Sequence, residues 1–229
     1  MRPRPAAPAA VSIRRRPGAV AAAAAASLVV LAAAGLMPPA HAAPDAATRE
    51  AAQKLATQLC VTCHGAQGRG ENPRIPRLAG QQKAYIEVQL KAFRAHTRGE
   101  PAAHETMWGV AALLSDDVVT ALAEYYASQT PASGPAAGAV ADAAAIAKGR
   151  VLFDKGSPER GLPACAGCHG ANAEGLAVFP RLAGQHAQYL FIQLQAIRHK
   201  LRASPVMHGL IKELADDEIV ALAAYLESK

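Results

Sequence analysis

The chain has 229 residues, 51% of them hydrophobic but only ten aromatic, with 24 basic against 18 acidic residues and four cysteines. The formal charge of +6 comes from the first 42 residues, whose five arginines have no acidic counterpart, and without them the balance is +1. No basic tract remains that would hold nucleic acid, and a near-neutral body meets its partners through local patches rather than through an overall field.

In chain order, Arg2, Arg4, Arg14, Arg15 and Arg16 come first, residues 18–37 carry no charge, and Pro38 and Pro39 precede the small-x-small run Ala40, His41, Ala42. This is the layout of an export signal, with cleavage expected after Ala42. An uncharged run of that length can just span a bilayer, but it is mostly alanine, which favours removal over retention as an anchor. Pro17 and Gly18 follow the arginines and favour the general secretory route over the twin-arginine one. Export places the cysteines in an oxidising compartment, where thiols are paired or otherwise used.

A helical stretch at about 46–59 leads into "CVTCHG" at 60–65, followed by "PRLAGQ" at 76–81, "AYIEVQLKAFR" at 84–94, Met107 and "LSDDVVTALAEYYAS" at 114–128. Residues 129–145, rich in Ala, Gly and Pro, read as a linker. The series then repeats: a helical stretch at 143–155, "CAGCHG" at 165–170, an unchanged "PRLAGQ" at 180–185, "QYLFIQLQAIR" at 188–198, Met207 and "LADDEIVALAAYLES" at 214–228. The offset between copies drifts from 105 at the cysteines to 104 at PRLAGQ and 100 at the last helix, so small insertions separate two collinear units. The expected organisation is a signal at 1–42, a first domain at 43–128, a linker at 129–145 and a second domain at 146–229.

Each copy is predicted to be helical throughout. Tyr85, Val88 and Ala92 fall at i, i+3 and i+7, as do Tyr189, Ile192 and Ala196, and Ile86, Leu90 and Phe93 widen the apolar face. Ser115 is a candidate N-cap with Asp116 and Asp117 in the first turn, where negative charge suits the helix dipole. Ala215 replaces that serine in the second copy, so the start there is expected to use Asp216. Val119, Leu122 and Tyr126 match Ile219, Leu222 and Leu226 as a buried stripe. No alternating run is long enough for a strand, and the predicted class is all-α. Units of about 90 residues have limited apolar area to bury, and ten aromatic residues serve both. A planar macrocycle in each core would supply what is missing.

All four cysteines lie in the two hexapeptides. Cys-x-x-Cys sets both sulfurs on one side of a helical turn, and the following histidine can turn its ring to the same side. That pattern suits covalent haem attachment through thioethers at Cys60 and Cys63 and at Cys165 and Cys168, with His64 and His169 as first axial iron ligands. A thioredoxin-like pair expects a βαβ context that is missing. A zinc site assembled from both motifs leaves the histidine after each pair unexplained, and local disulfides are a third alternative. Beyond Met37 the chain has two methionines, Met107 and Met207, lying 43 and 38 residues after His64 and His169. A lone methionine usually fills core gaps, but one per copy at matching positions reads as the second axial ligand, and a filled sixth position favours electron transfer over small-molecule binding. His104 and His208 are the rivals. His96, His186 and His199 do not recur between copies and are expected on the surface or in hydrogen bonds.

These segments make the chain resemble the dihaem cytochromes c of the cytochrome c4 family over essentially all of its exported part, most specifically in "GLPACAGCHGANAEGLAVFPRLAGQHAQYLFIQLQAIR". The resemblance implies two tandem class I cytochrome c-like domains in a pseudo-two-fold arrangement, carrying two covalently attached c-type haems that face each other. It implies that the carbonyls of Pro76 and Pro180 orient the ligating imidazoles and that Arg77 and Arg181 face haem propionates. It further implies a periplasmic, non-enzymatic electron carrier of a respiratory chain. The expected partners are a donor such as a bc1-type complex and an acceptor such as a terminal oxidase, with loose association with the inner membrane. The alternatives are the haem subunit of a dehydrogenase complex, of flavocytochrome or sulfur-oxidising type, and a dihaem peroxidase-like enzyme, which needs an open iron. Two departures set the first copy apart: Ile75 stands where the second has Phe179, and the stretch "HTRGEPAAHETMWG" reads as a lengthened loop before Met107, with Trp108 after it.

Overall fold

Helix starts follow the capping residues. Asp45 accepts a hydrogen bond from the Thr48 N–H at 2.7 Å and opens α1 (Ala46–Leu55), and Ser115 accepts from the Val118 N–H at 3.3 Å and opens α5 (Asp116–Ala127). Between them lie α2 (Val61–His64), α3 (Lys83–Arg94) and α4 (Trp108–Ala112). The second copy repeats the plan in α6 (Ala143–Lys155), α7 (Ala166–His169), α8 (Ala187–Arg198), α9 (Pro205–Ile211) and α10 (Asp216–Glu227). The computed structural model describes residues 43–132, 134 and 142–229, so the segment read as an export signal lies outside them. Among the described residues there are isolated bridges but no strand, as the all-α expectation requires.

In each copy the first helix packs on the last, α1 on α5 and α6 on α10. The α6–α10 crossing is close because Gly149 faces the Ala221 carbonyl, where an added Cβ would stand 2.0 Å from the oxygen. Ala52 takes the matching place in α1 and is fully buried. One turn later the second copy buries Leu152 and Phe153, where the first has Leu55 and the small Ala56. The predicted stripes Val119, Leu122, Tyr126 and Ile219, Leu222, Leu226 are all buried.

Three expectations change. The core face of α3 is Ile86, Leu90 and Phe93, while Val88 is 48% exposed and the Tyr85 hydroxyl accepts from Arg202 of the other copy at 2.5 Å. At the start of α10 Ala215, not Asp216, holds the cap position, and the Glu218 carboxylate takes over the capping role by accepting from the Ala215 N–H at 2.9 Å. The longer approach to Met107 is helical: residues 101–112 run continuously, with a π turn at Ala103–Met107. Pro101 and Pro205 align, yet Met107 lies six residues beyond the first and Met207 two beyond the second. The four extra residues are thus absorbed as added helical turn, part of it the π turn.

The copies meet along their PRLAGQ segments, and the contact is reciprocal. The Gln81 side chain accepts from the Arg181 N–H at 2.7 Å and donates to the Arg181 carbonyl at 2.9 Å. Gln185 does the same to Arg77, at 2.9 and 3.0 Å. Beside these, Gln82 donates to the Glu174 carbonyl at 2.9 Å and His186, fully buried, donates to the Gly70 carbonyl at 2.8 Å. In the linker, Pro131 packs against Gly80 and the Gly134 carbonyl accepts from Arg77 at 2.8 Å. Residues 43–229 form one compact unit.

Candidate haem sites

Each Cys-x-x-Cys-His motif forms one short helix, with Cys60 and Cys165 at the start of α2 and α7 and a glycine closing it after the histidine. Gly65 and Gly170 have φ of 71° and 84°, a region that suits glycine. The turn then folds back so that the Gly70 N–H donates to the His64 carbonyl at 2.7 Å and the Gly175 N–H to the His169 carbonyl at 2.8 Å. All four cysteines are free, Cys63 and Cys168 exposed and Cys60 and Cys165 partly buried. Burial raises the Cys60 thiol and pushes Cys165 up to about 11. A thiol-redox pair needs the opposite, a nucleophile held as thiolate. Among the described residues no three His, Cys, Asp or Glu side chains converge as a metal site would require, which disfavours a zinc shared by the motifs.

The two histidines are set alike. His64 and His169 are buried, and their Nδ1 atoms lie 2.9 and 3.1 Å from the carbonyls of Pro76 and Pro180. A carbonyl only accepts, so Nδ1 carries the proton and Nε2 keeps its lone pair. Burial holds both rings below the usual imidazole range and keeps them neutral. A neutral imidazole with a fixed tautomer and a free Nε2 is what a metal ligand requires. Phe179 stands edge-on to His169 with centroids 6.3 Å apart.

Arg77 and Arg181 each leave a buried Nε–H without an acceptor, although Arg77 also donates to the Gly184 carbonyl at 2.5 Å. With Gln81 and Gln185 they line one cleft between the copies. Buried cationic donors without partners are costly, and two of them in symmetric positions match the carboxylates of two haems. The residues present therefore fit the group.

Met207 sits on α9 and packs, with Cys165, against the continuous core of the second copy. Met107 ends the π turn and packs with Trp108 on a small cluster of Phe93, Ala103 and Ala111, apart from the main first-copy core that Cys60 borders. Of the rival histidines, His208 is engaged with the Ile197 carbonyl at 3.1 Å, and His104 is exposed and edge-on to Trp108, at 4.7 Å between centroids. His96 stacks on the same indole at 4.0 Å. His199 is exposed, whereas His186 is the buried inter-copy donor. Gln81, Gln185 and His186 were not anticipated as interface residues, although the unchanged PRLAGQ repeat was the signal for the glutamines.

A family model for cytochrome c matches residues 49–130 and again 146–229. Cytochrome c4 of Thiocapsa roseopersicina is 40% identical over 192 residues, covering 81% of this chain and 95% of that protein. A thiosulfate dehydrogenase electron acceptor of Thiomonas intermedia is 38% identical, covering 74% of this chain and 78% of that one. The solved structure of Acidithiobacillus ferrooxidans cytochrome c4 superimposes with a TM-score of 0.69 at 37% identity, covering 74% of this chain and 98% of that one. Two matched domains, two Cys-x-x-Cys-His helices and relatives aligned over nearly their full length agree: the chain belongs to the cytochrome c4 family and is a dihaem electron-transfer protein, not an enzyme, carrying two c-type haems and working with redox-protein partners.

Proposed function

We propose that Cys60 and Cys63 hold one haem and Cys165 and Cys168 the other, that Nε2 of His64 and of His169 ligates each iron, and that Met107 and Met207 close the opposite sides. The observation that carries this is the matched pair of neutral imidazoles, each fixed through Nδ1 by a proline carbonyl with Nε2 free. Bound haem supplies a one-electron iron couple, and methionine opposite histidine raises its potential. With haem bound, Arg77 and Arg181 would neutralise its propionates through their unpartnered Nε–H groups, while Gln81 and Gln185 hold the two copies in register. The protein is exported through residues 1–42 and shuttles electrons in the periplasm between respiratory partners, from a donor such as a bc1-type complex toward a terminal oxidase.

An absorption spectrum of the holoprotein with and without carbon monoxide, combined with intact mass, tests this. Two covalent haems, methionine ligation and no carbon monoxide binding by the reduced protein are expected, with two positive and unequal potentials. Carbon monoxide binding would instead support the peroxidase-like alternative. The likeness to a thiosulfate dehydrogenase electron acceptor favours a second reading, in which the same haems take electrons from a sulfur-compound dehydrogenase. Stable co-purification of such a chain would mark this second role.

A further inference from the structure

The copies are joined at two places, one buried and one at the surface. At the buried place Arg98 and Arg202 face each other in an antiparallel bridge, are only 4% and 8% exposed, and share the acceptors Gln89 and Gln193. Arg98 also pairs with Glu100, whose counterpart in the second copy is Ser204. At the surface the Glu174 carbonyl accepts from Gln82 of the first copy at 2.9 Å, and the Arg181 N–H and carbonyl both bond to Gln81. Between these two anchored residues the second copy turns outward. Leu176, Ala177, Val178 and Phe179 are all exposed, the three larger ones at 68%, 52% and 37%.

Four exposed apolar residues in a row are out of place on a surface without a use for them, and here the backbone holds them in one shape. The Leu176 N–H donates to the Phe179 carbonyl at 3.0 Å and the Phe179 N–H to the Leu176 carbonyl at 2.9 Å. They close a tight hairpin whose tip residue Ala177 has φ of 53°, a region that residues with a side chain seldom enter. The hairpin is thus ordered before anything docks on it, which lowers the entropy cost of contact. Its flanking charges turn away: the Glu174 carboxylate accepts from the Asn172 N–H at 2.8 Å, and the Arg181 Nε–H is buried beside the cleft between the copies. The first copy is polar at the same place. Between Gly70 and Pro76 it exposes Glu71, Asn72, Pro73 and Arg74, and the Asn72 carboxamide accepts from the Arg74 N–H at 3.0 Å.

We propose that the Leu176–Phe179 hairpin is the docking surface of the second copy for a redox protein that presents an uncharged apolar face at its own electron-transfer centre. This rests on His169 ligating the second haem, as proposed above. Phe179 stands edge-on to the His169 ring, so a partner seated on the hairpin lies one aromatic contact from the ligand of the iron. The absence of charge selects the partner's surface, because an ionic one would lose its water here with nothing to pair it. Size selects the kind of complex. The three larger side chains expose on the order of 300 Å², far below the roughly 800 Å² per partner of a stable assembly and suited to the brief encounters of electron transfer. A lasting dimer of this chain needs more area, and an anionic membrane surface calls for basic side chains that the hairpin lacks.

Stopped-flow mixing of the reduced holoprotein with a blue-copper protein whose copper histidine opens on an uncharged apolar face tests this, one electron passing from haem iron to Cu(II). Leu176→Ser with Val178→Ser is expected to slow the second-order rate about tenfold, at about 0.05 M and about 0.5 M salt alike. Ala177→Asp, at a tip conformation that aspartate tolerates, is expected to slow it at least as much by placing a charge in the contact. Arg69→Ser with Arg74→Ser, on the polar turn of the first copy, is expected to leave the rate at about 0.5 M salt within about twofold. An unchanged rate in hairpin variants that keep both haems and methionine ligation overturns the proposal, and should the double variant fail to fold, Ala177→Asp decides alone. It is equally overturned if those variants keep the rate and instead lose a dimer seen by sedimentation, or binding to vesicles of phosphatidylethanolamine and phosphatidylglycerol. Missing haem or carbon monoxide binding in the parent protein would instead strike the ligation reading.

Discussion

The two halves follow one plan with different interiors. The second buries a single continuous core from Leu152 and Phe153 through Leu190 and Ile197 to Leu222 and Leu226. The first divides its interior, one cluster around Ile86, Val119 and Leu122 and a smaller one around Phe93, Ala103 and Ala111. Its backbone differs too, with π turns at Ala56–Cys60 and Ala103–Met107 leading into the motif helix and up to Met107. The second half has instead a looped insertion before its motif, pinned to α10 by Arg160, which holds the Glu218 carboxylate at 2.6 and 3.0 Å. What the halves keep in common, the motif helices, PRLAGQ and the bridge at Arg98 and Arg202, are the parts that would touch the haems or the opposite half. Drift is greatest in the approaches to the first motif helix and to Met107, and it reaches the seam at Gln82 and His186, which bond to different carbonyls of the opposite half.

That comparison can be broken most severely at the motifs. Cys60→Ser with Cys63→Ser, and separately Cys165→Ser with Cys168→Ser, are each expected to remove one covalent haem and leave the other, read by intact mass. Loss of both haems from either variant would mean that the halves do not mature independently. Next in size, Gly149→Ala is expected to destabilise the protein by about 1–3 kcal/mol in denaturant titration because the new methyl meets the Ala221 carbonyl. The matching change Ala52→Gly, made where the methyl is already accommodated, is expected to lose only about 0.5–1 kcal/mol.

The caps sharpen the contrast further. Ser115→Ala should lose about 1 kcal/mol, whereas Ala215→Ser should gain less than that, since the Glu218 N–H that a serine hydroxyl would take already donates to the Ala215 carbonyl at 3.1 Å. The smallest effect is in pH. Hydrogen bonds from Arg160 are the main cause that holds Glu218 below the ordinary glutamate range. Its contribution is therefore complete above the unfolded glutamate pKa and is lost as pH falls through the lowered folded value. Glu218→Gln should flatten the acid limb of the thermal stability curve below about pH 4.5. Val118 fills that place in the first half, so Val118→Ala should leave the acid limb unchanged.

Sequence was most legible where chemistry and periodicity coincide. The hexapeptides, the serine cap and the stripes on α5 and α10 stand where their patterns predict. The face of α3 was harder to read because that helix has two apolar demands: Ile86 and Phe93 serve the core while Tyr85 turns to the other half. The helix before Met107 read as a lengthened loop because a π turn has no composition of its own. Arg98 and Arg202 recur at the same offset as PRLAGQ, but arginines are so seldom buried that their recurrence did not point inward. Only the fold shows that each finds its acceptors in both copies.

The glutamine exchange between the PRLAGQ segments has a bearing on descent. Gln81 on Arg181 and Gln185 on Arg77 are one contact made twice, which is how identical subunits meet about a dyad. A single-copy ancestor bearing that hexapeptide would already own both sides of the seam and could associate with itself. Fusing two such genes would raise the local concentration of each partner without inventing a new contact, and would free one copy to acquire a residue such as Glu100 that a strict homodimer must carry in duplicate.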